Sequence, residues 1–209
     1  MTGEDDIRTL TTGVALRKAR GAVVLLHGRG GTAEDILSLS YPLAEPTFAY
    51  IAPQAPGNTW YPLSFLAPIA DNEPALTRAL ATVDAVVGAV TQAGVPAERV
   101  LLLGFSQGGC LALEYAARNA RRYGGVAGLS SGLIGPPGTP RDYPGSLAGT
   151  PVFLGCSDMD AHIPEWRVRE STQVLRGLGA EVTERIYPGM GHLISDDEIA
   201  HVQSLVKGI

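Results

Sequence analysis

Ser106 stands in Gly104-Phe105-Ser106-Gln107-Gly108, between the apolar run Val100-Leu101-Leu102-Leu103 and a helix-forming segment from Gly109 to Ala117. A serine between small residues, at a turn from a buried strand into a helix, has the sequence context of an exposed nucleophile. The glycines give the backbone room for a sharp turn and for close approach to neighbouring elements. The helix N-terminus beside the hydroxyl would face developing negative charge with its free amides. A serine hydroxyl attacks poorly at neutral pH unless a base takes its proton and a carboxylate orients that base.

Both partners can be sought in loops after later strands. Tyr187-Pro188-Gly189-Met190-Gly191-His192 offers the base: a strand ends at Tyr187, and two glycines free the chain before the last helix. Cys156-Ser157-Asp158-Met159-Asp160 offers the acid after the strand from Val152, with Asp160 taken and Asp158 as its rival. Three other histidines compete with His192. His27 sits in a glycine loop where it reads as structural; His162 would need a different acid; and His201 falls inside an amphipathic helix as a surface residue.

A tetrahedral intermediate also requires two amide donors. One is expected from Gln107, the residue after the serine. The other is expected from Arg29, in the loop His27-Gly28-Arg29-Gly30-Gly31 that follows the strand ending at Leu26. A phosphate cradle is the competing use of that loop, but it has neither the G-x-x-x-x-G-K nor the G-x-G-x-x-G spacing.

The elements that must position these residues follow from hydrophobic pattern. Thr9 to Leu16 alternates loosely as an edge strand. Ala22 to Leu26 is a continuous apolar run, as in a strand covered on both faces. Thr32 and Asp35 form a capping-box pair at a helix start. Thr47 to Ala52 is a third strand, ended by Pro53 and Pro56. From Gly57 to Asn72 runs an aromatic irregular segment, too apolar for disorder. Ala75 to Ala93 places Leu76, Leu80, Val83, Val87 and Val90 at helical spacing. Strands follow at Val100–Leu103, Gly125–Ser130, Val152–Cys156 and Glu181–Tyr187. Helices follow Ser106 and Pro164 (the latter with Trp166, Val174, Leu175 and Leu178), and the last carries Ile199, Val202, Leu205 and Val206. Alternation of strands and helices implies a mostly parallel sheet with helices on both faces. Residues 132–150 are rich in glycine and proline and too short for a helical cap. No repeat or boundary divides the chain, so residues 1–209 read as one domain.

Composition agrees with this. In 209 residues, 45% hydrophobic and 18% charged describe a globular chain with a substantial core. A net charge of −5 argues against nucleic acid as partner. The cluster Arg118, Arg121 and Arg122 reads as support for a helix C-terminus. Met1 to Asp6 is acidic without an apolar core, which is not a secretory signal, and no apolar run approaches a membrane span. A soluble, cytoplasmic protein without membrane attachment is expected. Cys110 and Cys156 are read as buried free thiols.

Leu26-His27-Gly28-Arg29-Gly30, Gly104-Phe105-Ser106-Gln107-Gly108-Gly109, Asp160-Ala161-His162-Ile163-Pro164 and Gly191-His192 together resemble the phospholipase/carboxylesterase family of serine hydrolases, which includes acyl-protein thioesterases. The resemblance implies an α/β-hydrolase fold of about seven strands without cap or lid domain. Similarity to the family's D-x-x-V/I-P segment places the acid at Asp160. It also implies hydrolysis of carboxylic esters or thioesters of short to medium acyl groups, a small-molecule substrate, and neither cofactor nor metal. Other acyl chemistry on the same triad, such as peptidase or acyltransferase, and a non-catalytic ligand-binding homologue are the alternatives. One departure stands out: after Trp60 the family's Trp-Phe-Asp-type segment reads Tyr61-Pro62-Leu63-Ser64-Phe65-Leu66 here. Trp60, Tyr61, Phe65 and Leu66 are the expected acyl wall, and aromatics exposed there could equally serve a homodimer.

Overall fold

The structure is a computed structural model that describes residues 8–209. The acidic stretch Met1 to Asp6 lies outside the described residues. Seven strands form one sheet: β1 (Thr9–Gly13), β2 (Gly21–Leu26), β3 (Phe48–Pro53), β4 (Val100–Phe105), β5 (Gly125–Leu129), β6 (Pro151–Ser157) and β7 (Glu181–Tyr187). Their order is β1-β3-β2-β4-β5-β6-β7, with β1 antiparallel to β3 and every other pairing parallel. Five helices connect them: α1 (Ala33–Leu37), α2 (Ala75–Gln92), α3 (Gln107–Arg118), α4 (Glu165–Gly177) and α5 (Asp196–Gly208).

Strand β2 shows how the sequence produces the layers. Its residues are all buried, and a period of two sends Ala22, Val24 and Leu26 to one face and Val23 and Leu25 to the other. The core on the first face takes in Leu76 and Val83 of α2 and Leu111 of α3 and, further along the sheet over β6 and β7, Val168 of α4. The core on the second takes in Ile36 of α1 and, over β5 and β6, Val202 and Val206 of α5. Each fully buried side chain of this size contributes roughly 1.5–3 kcal/mol of transfer free energy.

The chain leaves its regular elements a little differently from the pattern reading. β1 ends at Gly13, and Leu16 lies in a short 3-10 turn. Pro53 belongs to β3, paired antiparallel with Thr9 at the end of the edge strand. α1 and α5 both start at complete capping boxes, Thr32 with Asp35 and Ser195 with Glu198. Helix α3 ends at Arg118, because the chain turns out of helical geometry at Asn119. Of the three clustered arginines only Arg118 therefore supports the helix, donating to Glu114 at 2.7 Å. Arg121 instead lies over the Tyr123 ring, and Arg122 donates to the carbonyls of Ala148 and Gly149. In α4 Trp166 points outward and is 46% exposed.

No helix forms between β5 and β6, so nothing there covers the sheet's carboxyl edge as a cap. That connection is pinned from beneath. Buried Glu114 accepts from the Ile134 N–H at 3.1 Å and from the Tyr143 hydroxyl at 3.1 Å. Among the described residues no helix is long and apolar enough to cross a membrane.

Candidate active site

Ser106 occupies the turn between β4 and α3 with φ 54° and ψ −120°, a backbone region that a residue with a Cβ rarely adopts. The turn holds because its surroundings leave no alternative. The Ser106 N–H donates to the Leu129 carbonyl at 2.9 Å, and the Ser106 carbonyl accepts from Cys110 at 2.9 Å. A Cβ at Gly108 would fall inside the Leu26 carbonyl group, and one at Gly104 inside the Gly108 backbone. Both glycines of the pentad are thus required by close approach.

The loops after β6 and β7 bring the other two groups to the hydroxyl. His192 Nε2 lies 2.8 Å from Ser106 Oγ, and His192 Nδ1 lies 2.7 Å from Asp160 Oδ2. The remaining oxygen of Asp160 accepts the amides of His162 at 2.8 Å and Ile163 at 3.0 Å. Burial pushes the Asp160 carboxyl up, but these hydrogen bonds, the one from His192 foremost, outweigh it and hold the group below the usual range. With a carboxylate on Nδ1, the proton of the neutral ring sits on Nδ1 and Nε2 is left as the acceptor for Ser106.

Three of the four rivals have partners elsewhere. Asp158 Oδ1 accepts the Gly189 N–H at 2.8 Å and so braces the loop that leads to His192. His27 is buried; its Nδ1 lies 2.8 Å from the Gly28 carbonyl and its Nε2 accepts the Ala55 N–H at 3.1 Å. Burial lowers its pKa, consistent with a neutral structural ring. His201 stacks on Phe153 with centroids 4.6 Å apart. His162 does face the site: its ring stands edge-on to His192 at 4.8 Å and lines the same cavity.

Gln107 is the first residue of α3, so its N–H has no partner within the helix. The N–H of Arg29 has no acceptor among the described residues. Gly28 lies against Phe105 and Ser106, close enough that a Cβ on it would be 3.4 Å from that of Ser106. Both residues line the cavity that holds Ser106, and neither amide has a competing acceptor among the described residues. The side chains of the same two residues reach elsewhere. Arg29 Nη1 donates to Thr59 Oγ1 at 3.0 Å and the Pro62 carbonyl at 2.8 Å; Nη2 donates to the carbonyls of Tyr61 at 3.0 Å and Leu63 at 2.6 Å. Gln107 Oε1 accepts the Trp60 N–H at 3.0 Å, and Nε2 donates to the Tyr61 carbonyl at 2.8 Å.

A cavity of about 690 Å³ opens over Ser106 and His192. Of the four residues expected on its wall, Tyr61 and Phe65 line it, and Trp60 and Leu66 do not. Trp60 is turned beneath the His27–Gly31 loop, where its indole N–H donates to the His27 carbonyl at 2.9 Å and its ring lies 5.0 Å from the His27 ring. Leu66 packs into the core beside α2. Leu63, Phe105, Cys110 and Ile163 add to the apolar wall and were not selected by pattern: Leu63 and Ile163 lie in irregular segments with no periodicity that tells inward from outward, and Phe105 and Cys110 flank the elbow on regular elements. Burial pushes the Cys110 thiol up to about 12 and the Tyr61 phenol well above its usual value, so this floor is neutral. Cys110 and Cys156 are both buried free thiols, as their apolar settings imply.

A sequence profile of the phospholipase/carboxylesterase family matches residues 14–208. The crystal structure of a phospholipase/carboxylesterase from Dyadobacter fermentans is 46% identical, with a TM-score of 0.93 over 97% of each chain. Carboxylesterase SOBER1 of Arabidopsis thaliana is 26% identical over 208 residues, 90% of each chain. An acyl-protein thioesterase 1 of Gibberella zeae is 34% identical over 119 residues, 54% of this chain and 49% of that one.

Proposed function

The chain belongs to the phospholipase/carboxylesterase family of α/β-hydrolases, and on that premise we propose that it cleaves carboxylic esters or thioesters of short to medium acyl groups through Ser106, His192 and Asp160. The observation that carries this reading is the unbroken relay from Asp160 through His192 to Ser106, at 2.7 and 2.8 Å.

His192 Nε2 takes the proton of Ser106 as Oγ bonds to the acyl carbon. Asp160 stays ionised, orients the ring and stabilises the imidazolium. The carbonyl oxygen becomes an oxyanion, which the N–H groups of Arg29 and Gln107 receive. As the tetrahedral centre collapses, the alcohol or thiol leaves with the proton from His192, and an acyl-Ser106 ester remains. Water, deprotonated by the same ring, repeats the steps in reverse and frees the acid. The acyl group lies against Tyr61, Phe65 and Ile163, a wall whose size suits a short to medium chain.

Hydrolysis of p-nitrophenyl esters without added metal tests the proposal. Ser106→Ala should lower kcat by about 10⁶-fold, and a fluorophosphonate should label the native chain and not the variant. Substantial turnover left in Ser106→Ala would refute the assignment. A native chain that resists the probe would point to a ligand-binding homologue.

A further inference from the structure

Two residues with an amide assigned to the oxyanion also hold the same short loop with their side chains, and they meet on one atom. The Tyr61 carbonyl accepts from Arg29 Nη2 at 3.0 Å and from Gln107 Nε2 at 2.8 Å. Arg29 and Gln107 come from different connections, after β2 and after β4, and are 78 positions apart by their numbers (107 minus 29). Arg29 makes no ion pair among the described residues; its two terminal nitrogens are spent on the four loop acceptors at Thr59, Tyr61, Pro62 and Leu63. A guanidinium used this way acts as a planar template. A lysine ammonium, with three donors on one atom, cannot span the same acceptors.

We propose that Arg29 is a positioning residue: through the Tyr61 carbonyl its guanidinium locks the oxyanion loop to Gln107 and so fixes the separation of the two oxyanion amides. The proposal rests on the reading of Arg29 and Gln107 as oxyanion donors. It makes the apolar wall and the oxyanion site one rigid piece, since Tyr61 belongs to both. Displacement of a catalytic group by about 1 Å can cost on the order of 10²-fold in rate. The lock therefore acts on kcat, while the apolar contacts that set KM stay in place through the bonds that remain, Gln107 Nε2 to the Tyr61 carbonyl at 2.8 Å and the Gly135 N–H to the Phe65 carbonyl at 2.7 Å.

Arg29→Met keeps the length and removes every donor; Arg29→Lys keeps the charge and the stem. The full chain with either substitution should fold with a melting temperature several degrees below the native one, keep KM and lose about 10²-fold in kcat on p-nitrophenyl esters. Millimolar guanidinium, far below denaturing concentrations, should restore part of the rate in Arg29→Met, whereas it would leave unrestored a protein whose defect is general instability. Should Arg29→Met not fold, Arg29→Lys carries the same test. Native kcat in either folded variant, or a folded Arg29→Met that guanidinium leaves unrestored, overturns the proposal while the triad stands. A native chain inert to both ester and fluorophosphonate overturns the proposal together with the reading beneath it.

Discussion

On one side of Ser106 the loop from His27 to Gly31 is tied to the Thr59–Leu63 stretch by the side chains of Arg29 and Gln107, residues of the site itself. On the other side Asp160 and His192 are held by neighbours that take no part in the relay. Ser157 Oγ accepts the amides of Met159 at 3.0 Å and Gly191 at 2.9 Å, and Asp158 accepts that of Gly189 at 2.8 Å. The difference teaches where each half can be damaged. On the acid side the bracing and the chemistry belong to different residues and can be removed separately. On the side of the proposed oxyanion donors, Arg29 and Gln107 each carry both.

The largest effect expected from this contrast is on the acid itself. Asp160→Asn should keep the fold and lower kcat by about 10⁴-fold, because the amide favours the wrong tautomer of His192. A loss of only about 10²–10³, the size of a single oxyanion donor, would erase the distinction between the halves. Next comes the brace. Asp158→Ala removes one hydrogen bond worth about 1 kcal/mol, so kcat should fall on the order of 5-fold. A loss as deep as that of Asp160→Asn would make Asp158 the acid instead.

The smallest effect is one of stability with pH. Burial lowers the pKa of His27 below its ordinary 6.5, and its neutral Nε2 is needed by the Ala55 N–H. The unfolded chain therefore takes up this proton first. The stabilisation is complete above pH 6.5, declines as pH falls below it, and levels off under the folded-state pKa. Asp160, also depressed, contributes in a separate window: its share is complete above the ordinary 3.8 and is lost only as pH falls from there through the folded value. Urea midpoints between pH 7.5 and 5.5, native against His27→Gln, isolate the first. A midpoint that does not shift in the native chain would show that the oxyanion side lacks this dependence.

Much of this was readable from residue order. Gly104 and Gly108 mark the elbow because two backbones nearly touch there, and a contact of that kind leaves a glycine in the sequence. The apolar runs of β2 and β4 announced buried parallel strands, and Thr32 with Asp35 announced a cap. The direction of side chains in the irregular stretch before α2 was not readable. Trp60 and Leu66 look as apt for a wall as Tyr61 and Phe65, and only the tertiary hydrogen bond from Trp60 to His27 decides which way the indole points. The four-fold use of the Arg29 guanidinium left no trace either, since its acceptors are main-chain oxygens and a threonine hydroxyl more than 29 positions away. A main-chain acceptor has no residue type to recognise.

The seating of Gly108 against the Leu26 carbonyl has an evolutionary side. Even a methyl group at that position collides with main chain that cannot step aside, so drift there is barred. The stretch between Gly57 and Asn72 is held by Arg29 and Gln107 largely through its main chain, so its side chains can be exchanged without losing those bonds. Descendants of this chain are thus free to reshape the cavity wall while the elbow stays the same.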